Sequence, residues 1–422
     1  MRLPMVLGAL LLVIAAAAQG PDSTAILLET DGLPTMPRNV RTAPAHLLHV
    51  EASGLYDMST VYNELVRGLL RTGTIARDLR KRSQDALNGD NRAGYAIEGG
   101  ITYAWGDSLF GHGGWRPRFA LMHHDVMGLR FTDDTYALTF FGNAAYEDRT
   151  AHVGPSAFNL TRYQTLGFGV EDIRSGSFLQ LSVVNGSLLN EGDIDRADLY
   201  TATDGRFLDL DIQGEYWRSD SANSNYFRTN GIGAAVSGQW NFFPALFGHR
   251  AVVGIRLDDA GFVAWNDRSL RVKKDSVVHY EGIRVENIID LDGALIGGDE
   301  LQDSLGFGYT RGGYLRPLPA RLGARLRLFS NDLKWSYDVA LDQRYLPGYT
   351  PHATVGAMRR FACFALSVEG GYGGFGGLRG GLGVDVVIAR RWLLTVRSSN
   401  VVGTASESAR GTALFLGLDL RW

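Results

Sequence analysis

Hydrophobic and polar residues alternate with a period of two in many segments of the chain. In residues 206–217, apolar side chains occupy every second position, and carboxylates occupy several of the positions between them. Residues 95–105, 321–328 and 334–342 repeat the pattern with other polar groups. Successive side chains of a β-strand point to opposite faces, so each segment predicts a strand with one apolar and one polar face.

The last strand pattern, in residues 414–422, is the most specific. Its apolar face consists of Leu414, Leu416, Leu418, Leu420 and Trp422, while Asp419 and Arg421 share the other face. This ending resembles the C-terminal signal that the barrel-assembly machinery of the bacterial outer membrane reads. We therefore predict an assembly signal in Leu416, Leu418, Leu420 and Trp422, with that machinery and outer-membrane lipid as partners.

Strand and loop lengths favour a transmembrane barrel over a soluble β-sandwich. The alternating segments run for about ten residues, as tilted membrane strands do, whereas strands of globular proteins usually have about five or six. Short links alternate with long ones, and the long links are 56–91, 126–157 and 263–317. Outer-membrane barrels combine short periplasmic turns with long outer loops. We count sixteen strands, and we predict an all-β fold: a transmembrane antiparallel β-barrel of 14–16 strands with partly helical outer loops or lumen inserts.

The polar face of each strand is expected to point into the lumen, because a charge on the lipid face costs about 2–4 kcal/mol at mid-membrane. The predicted lumen-lining residues are Glu98, Asp209, Asp211, Glu215, Arg321, Arg325, Arg327 and Asp338. Two interpretations fit them equally. In the first, the charges have a function: they line an aqueous path or cross-link an occluded interior. In the second, they face inward only because lipid excludes them.

The first residues have the pattern of an export signal. Arg2 precedes an apolar run from Val6 to Ala18, which is too short to cross a bilayer as a helix. Three alanines at its end fit the small-residue rule for cleavage. We therefore expect a cleaved signal peptide at 1–18, a lead-in or plug at 19–44, a barrel at 45–422, and a bacterial outer-membrane location.

Composition excludes some classes of partner and site. Lys and Arg number 42 against 45 Asp and Glu, a balance that argues against nucleic acid, whose binding needs a basic excess. Cys363 is the only cysteine, so an intramolecular disulfide and a cysteine metal cluster are both ruled out. The 53 glycines suit tight turns and closely packed sheets.

The first long link has a helical pattern over residues 59–88. Val61, Leu65 and Leu69 recur at intervals of four, and Gly73 ends the first stretch. A second stretch, 74–88, is rich in arginine and lysine. We favour a surface helical hairpin on an outer loop; the alternative is a basic lid or a lumen constriction.

We find no pattern that predicts an enzyme, a metal or a cofactor. The glycine spacing in 371–376 matches a dinucleotide motif but lies between two strand patterns and opens no helix. His123 and His124 are adjacent, so on a strand they point to opposite faces. The carboxylates at 193, 195 and 198 could hold Ca²⁺, but a solvated loop is the favoured interpretation.

Four short strings resemble a known group of proteins. They are Asn-Arg-Ala-Gly-Tyr at 91–95, Phe-Gly-Asn-Ala at 141–144, Tyr-Gln at 163–164 and Arg-Ala-Asp-Leu-Tyr-Thr at 196–201. They resemble an uncharacterised family of Bacteroidetes outer-membrane proteins with a domain of unknown function, best over 45–240. That family is similar in outline to the long-chain fatty-acid transporter barrels. The resemblance implies fourteen strands, hydrophobic small-molecule cargo and an N-terminal hatch with an Asn-Pro-Ala signature, from which residues 39–45 depart.

Three functions follow from these observations. The leading hypothesis is a non-enzymatic channel or transporter for small or hydrophobic molecules, whose lumen is partly occluded by inserts. The second is a structural or assembly component of a secretion or surface complex. The third, least favoured, is a barrel enzyme that acts on lipid.

Overall fold

A computed structural model describes residues 36–40, 43–72, 75–281, 308–406 and 408–422. The predicted signal peptide, most of the predicted lead-in and residues 282–307 of the third long link lie outside these ranges. Among the described helices, none is long and apolar enough to cross a membrane.

Twenty-two strands and four α-helices make up the described chain. The strands are β1 His46–Met58, β2 Asn91–Trp105, β3 Ser108–Leu109, β4 His112–Gly113, β5 Trp115–Phe131, β6 Arg149–His152, β7 Ser156–Asp172, β8 Phe178–Thr201, β9 Phe207–Arg218, β10 Gly231–Phe242, β11 Ala245–Leu246, β12 His249–Trp265, β13 Leu270–Glu281, β14 Tyr309–Arg311, β15 Tyr314–Pro317, β16 Arg321–Phe329, β17 Trp335–Arg344, β18 Thr350–Arg360, β19 Phe364–Gly374, β20 Arg379–Ile388, β21 Trp392–Asn400 and β22 Thr412–Arg421. The helices are α1 Asn63–Thr72, α2 Arg77–Gln84, α3 Asp133–Phe141 and α4 Val401–Ala405, with 3₁₀ turns at Ala144–Tyr146, Thr203–Gly205 and Ser221–Asn223.

Fourteen of these strands close into an antiparallel ring, which confirms the predicted barrel. In order around the ring they are β1, β2, β5, β7, β8, β10, β12, β16, β17, β18, β19, β20, β21 and β22. The ring closes because β1 pairs with both β2 and β22, so that Val50 lies opposite Ile101 on one side and Leu418 on the other. Strand β15 extends β16 by pairing with the upper part of β12.

The count of sixteen strands was wrong by two. Two of the sixteen predicted strands, 177–185 and 195–203, belong to one strand, β8. A third, 206–217, corresponds to β9, which pairs with the upper half of β8 and with β13, outside the ring. Gly186 and Gly192, in the middle of β8, mark close packing. A Cβ on Gly192 would lie 2.4 Å from the ring of Phe158. Glycine inside a strand often marks such a close approach rather than a turn.

The two faces of the wall differ in polarity as predicted. On β17, Tyr337, Val339 and Leu341 are each about half exposed on the outer face, while Asp338 and Asp342 point into the ring. The first and last ring strands meet at one end of the barrel, where the backbone N–H of His46 donates a hydrogen bond to the carbonyl of Trp422. That end has the short turns and the opposite end has the long links, so in an outer-membrane barrel the start of β1 and the end of β22 are periplasmic.

The helical first link packs on the outer side of the wall. Leu65 and Leu79, from α1 and α2, form an apolar cluster with Tyr136 of α3, Met58 and Phe131. Met58 follows Asp57, whose side chain points into the ring, and therefore belongs to the opposite face. The surface position of this hairpin agrees with the favoured interpretation rather than with a lumen constriction.

Candidate functional site

The lumen contains a dense array of charged side chains held by mutual contacts. Near the long-loop end, Glu98 accepts hydrogen bonds from Arg344, with Nη2 lying 2.9 Å from each carboxylate oxygen. His124 lies 3.0 Å from Glu98 through Nδ1 and 3.2 Å from Asp259 through Nε2. Four ring strands thus contribute to one cluster, so these charges fix the relative positions of distant parts of the wall.

A second lumen cluster joins β16, β17 and β18. Asp342 accepts the hydroxyl of Tyr349, lies 3.1 Å from Nδ1 of His352 and 3.4 Å from Nη2 of Arg321. Further toward the short-turn end, Arg327 donates to Asp338 at 2.7 Å. Adjacent strands thus present opposite charges at matching heights.

The middle of the lumen is open to water. The side chains of Arg256 and Arg321 are 51% and 46% exposed, although both point into the closed ring. Glu51, on β1, is also partly exposed there. A side chain enclosed by the wall keeps such exposure only where the described residues leave space beside it, so the described part of the ring encloses a water-accessible space lined by both signs of charge.

An apolar plug narrows the lumen near its outer end. Phe375 and Leu346, on the two turns that close β19–β20 and β17–β18, are buried against Ala96 and Val126 on the inner wall. Tyr349 meets Phe375 edge to face, with ring centroids 5.1 Å apart. The plug is therefore built from short outer turns that fold inward, whereas the helical insert packs outside.

The turn that carries Phe375 is held by a buried ion pair. Nη1 of Arg379 donates to Asp57 at 2.9 Å, and both side chains are almost fully buried. Gly376 packs against this carboxylate so closely that a Cβ there would lie 2.2 Å from Oδ1. The sequence around the turn thus requires glycine for the plug to reach the wall.

The predicted lumen residues fall into two groups. The first group lies on ring strands, at positions whose side chains point into the lumen: Glu98, Arg321, Arg325, Arg327 and Asp338. Among these residues, Arg327 and Asp338 are in contact. Glu98 accepts its hydrogen bonds from Arg344, which was not among the predicted residues.

Asp209, Asp211 and Glu215 do not belong to the lumen wall. They lie on β9, outside the ring, where their partners are His279, Arg196 and the pair Arg271 and Lys273. The prediction failed here because an alternating pattern shows that a strand has two faces but not which sheet edge the strand joins.

Several central residues were not singled out by the sequence pattern. Asp342 was placed on the polar face of its strand, but neither Asp342 nor Arg344 was among the predicted lumen-lining residues, although both alternate in step with Asp338 along β17. Asp57 and Arg379 gave no comparable signal, because they are 322 residues apart and meet only through ring closure and the inward turn.

One polar cluster faces outward, contrary to the expectation that all charges face the lumen. Asp125 lies opposite Ile97 on the outer face and accepts hydrogen bonds from Tyr95 at 2.9 Å and Arg162 at 2.8 Å. The guanidinium of Arg162 lies 3.9 Å from the ring centre of Tyr226, in the loop between β9 and β10. The charges are neutralised as a pair and covered by this loop, which explains why the wall tolerates them.

The adjacent histidines point to opposite faces as predicted. His124 contacts the lumen carboxylates, whereas His123 contacts Gln164 and the ring of Phe227 outside. Among the described residues, no group of three or more histidine, cysteine, aspartate or glutamate side chains could hold a metal ion. Asp198, one of the residues considered for Ca²⁺, contacts His152 on β6.

No protein-family model matches the sequence, and no curated protein matches it significantly. The resemblance to a Bacteroidetes family therefore stays a prediction. Solved structures that align include the toluene transporter TodX of Pseudomonas putida, 8% identical with a TM-score of 0.43, covering 97% of this chain and 94% of that one. Others are Pseudomonas putida OprB, 9% identical with a TM-score of 0.30 over 91% and 95%, and a mutant Rh. blastica porin, 9% identical with a TM-score of 0.26 over 89% and 99%. These values are low, so the fold assignment rests on the strand pairing.

Proposed function

We propose that this chain is an outer-membrane channel or transporter for small molecules. The observation that carries the proposal is the water-accessible space in the ring, where Arg256 and Arg321 are about half exposed. A purely structural barrel has no need for an unfilled, charged interior. The apolar plug around Phe375 makes this a restricted path rather than a wide pore.

The chemistry of the lumen favours polar or ionic cargo over hydrophobic cargo. Charged groups of both signs line the described wall at several heights, from Arg327 and Asp338 to Glu98 and Arg344. An apolar solute that displaces water from such groups gains no compensating hydrogen bonds. A small polar solute exchanges its water for these side chains and passes at lower cost.

The proposed location is the outer membrane, with lipid in contact with the apolar outer face. The last strand supports this proposal, because Leu414 and Leu416 are about half exposed on that face and β22 closes the ring. We further propose that Leu416, Leu418, Leu420 and Trp422 are read by the assembly machinery. Replacing Trp422 with Ala should reduce the folded fraction in cells without preventing refolding of purified chain in detergent.

Planar-bilayer conductance of the purified chain tests the channel proposal. Heat-modifiable gel migration first establishes that the barrel is folded. Reversing Arg321, Arg325 and Arg327 to glutamate should abolish steady conductance or change its ion preference. Reversing Asp209, Asp211 and Glu215 to lysine is a matched control, since it alters the same number of charges outside the ring. A silent bilayer for the unaltered chain, or equal effects of both triples, would contradict the proposal.

A surface or assembly scaffold is the second candidate. The observation that favours it is the sheet formed by the upper half of β8 with β9 and β13, which extends beyond the ring at the long-loop end. A channel does not need such an extension. Stable partners that co-purify in mild detergent with a non-conducting barrel would support this candidate, whereas a conducting monomer would oppose it.

A further inference from the structure

Two arginines of the inner wall lie beside a glycine that leaves a gap between them. Arg321 is on the same face of β16 as Gly323, and Arg256 lies directly opposite Gly323 on β12. The two arginines are therefore diagonal neighbours across a strand pair, and such neighbours lie about 7–8 Å apart. Their long side chains can reach one small solute above Gly323. We call Arg256, Arg321 and Gly323 the arginine notch.

Small residues on the neighbouring strands keep the arginine notch open. A Cβ on Gly323 would lie no closer than 3.9 Å to an atom outside its chain neighbours, which is ordinary van der Waals contact. Further along β16, Arg325 lies opposite Gly254 on β12 and Ala340 on β17. The wall positions that could fill the gap thus carry almost no side chain, so the described residues leave room for a solute there.

The guanidinium groups of the notch keep hydrogen-bond donors for a solute. Nε of Arg256 donates to both carboxylate oxygens of Asp258, at 2.8 and 2.9 Å. In the described part of the chain, the two terminal nitrogens of Arg256 have no hydrogen-bond partner. Arg321 lies 3.4 Å from Asp342 through Nη2. Both arginine side chains are about half exposed, so the remaining N–H groups face the water-accessible space of the lumen.

The carboxylates beside the notch are less accessible than its arginines. Asp258 lies opposite Arg321, and Asp342 lies opposite Gly323 on the other side of β16. Their side chains are only 24% and 14% exposed. Asp258 is engaged by Nε of its neighbouring arginine, while Asp342 accepts the hydroxyl of Tyr349 and contacts a histidine. A solute in the notch therefore meets mainly N–H donors with positive charge.

We propose that the arginine notch binds a small solute through an oxyanion group, either a carboxylate or a phosphate. A guanidinium group is planar and presents paired N–H donors that match two oxygens of such a group. Hydrogen bonds between charged partners are also roughly twice as strong as those to a neutral hydroxyl. The inference rests on the proposed channel function, because only a solute that enters the lumen reaches the notch, and it names the class of that solute.

Protection from arginine modification tests the site in the folded full chain in detergent, without any need for conduction. Phenylglyoxal reacts with accessible guanidinium groups, and mass spectrometry of chymotryptic peptides gives the rate at each arginine. Saturating sodium propionate or methyl phosphate should slow modification of Arg256 and Arg321 at least about threefold, as occupancy of most sites does. Arg206, exposed outside the ring, is the internal control and should react at an unchanged rate.

The two solutes distinguish the two oxyanions. Protection by propionate alone assigns a carboxylate, and protection by methyl phosphate alone assigns a phosphate. Choline chloride at the same ionic strength controls for salt screening. Absence of protection at Arg256 and Arg321, equal protection at Arg206, or equal protection by choline chloride would overturn the proposal.

Filling the gap is the second test, since it leaves both arginines in place. Gly323→Val should raise the solute concentration for half-maximal protection at least about tenfold, as loss of a charge-assisted hydrogen bond does. Gly54→Val is the matched control: a Cβ on Gly54 also meets no close atom, but it faces outward between Ile97 and Leu414. Heat-modifiable migration verifies folding of both variants. The same half-maximal concentration in both would show that the solute does not occupy the notch.

Planar-bilayer conductance separates this inference from the proposed function. Protection of Arg256 and Arg321 in a chain that is silent in bilayers would contradict the channel but support the site. Conduction without protection would support the channel and overturn the site. In a conducting chain, the protecting solute should reduce the chloride current, and it should do so less in the Gly323→Val variant than in Gly54→Val.

Discussion

The ring of Phe375 lies against Gly94, so close that a Cβ on Gly94 would fall 2.3 Å from the ring carbon Cε2. Gly128, on the next strand of the wall, is in a similar position, with its Cβ site 3.1 Å from Cε1 of the same ring. The inner wall thus has a recess, made by two glycines, that holds the plug. The plug therefore fills the lumen beside β2 and β5, where a solute that follows the proposed path has to pass it.

Replacing Phe375 with Ala should raise single-channel conductance at least about twofold, because the variant removes the ring that fills the recess. Truncating a buried phenylalanine typically costs about 3–5 kcal/mol in the free energy of unfolding, so folding must be verified by gel migration. Leu378→Ala is the control, since Leu378 lies on the same turn but is exposed to solvent. Unchanged conductance in a folded Phe375 variant would mean that the plug does not limit the path.

The ion pair between Asp57 and Arg379 should be sensitive to loss of one partner. Asp57→Asn leaves the buried guanidinium without its counter-charge, and breaking a buried pair in this way costs about 3–5 kcal/mol. Replacing both residues together, Asp57→Leu with Arg379→Met, should cost much less, since no unpaired charge remains. Denaturant unfolding followed by tryptophan fluorescence measures both. Equal costs would show that packing, and not charge pairing, holds the turn.

The wall of the barrel could be predicted from sequence because one physical constraint acts on every strand. Lipid excludes charge from one face, so positions such as Val339 and Asp338 differ in polarity wherever a strand crosses the membrane. The same constraint does not act on β9, which lies outside the ring but still alternates. For that reason its carboxylates at 209 and 211 were wrongly assigned to the lumen wall.

The plug could not be predicted, because it depends on contacts between residues that are far apart in the chain. Phe375 meets Gly94 and Gly128 across the lumen, and local periodicity contains no information about such pairs. The nine glycines in residues 369–383 predict a tight bend or a close backbone approach, and Gly376 does approach Asp57 closely. Which segment they approach follows only from the closed ring.

The outer face of β17 allows the membrane interpretation to be tested directly. Val339 lies near the middle of this strand and is about half exposed on the outer side. Val339→Arg should lower the free energy of unfolding from phospholipid vesicles by about 2–4 kcal/mol, the cost of an arginine at mid-membrane. Thr354→Arg, on the neighbouring strand but facing the lumen, should cost about 1 kcal/mol or less, because lumen positions tolerate charge. The same loss at both positions would contradict a lipid-facing wall.

The contact between β6 and β8 beyond the ring should depend on pH. Nδ1 of His152 lies 2.7 Å from Oδ1 of Asp198, and this hydrogen bond raises the pKa of His152 above its ordinary value of about 6.5. A histidine whose pKa is higher in the folded than in the unfolded chain stabilises the folded chain. This stabilisation is fully present at pH below the pKa of the unfolded chain, and it is lost as the pH rises through the pKa of the folded chain. The contact should therefore hold at pH 6 and weaken at pH above the raised pKa. Nitrogen-15 NMR titration of the imidazole measures this pKa, and Asp198→Asn should return it toward 6.5. Identical titrations in the two chains would show that Asp198 does not stabilise the protonated imidazole.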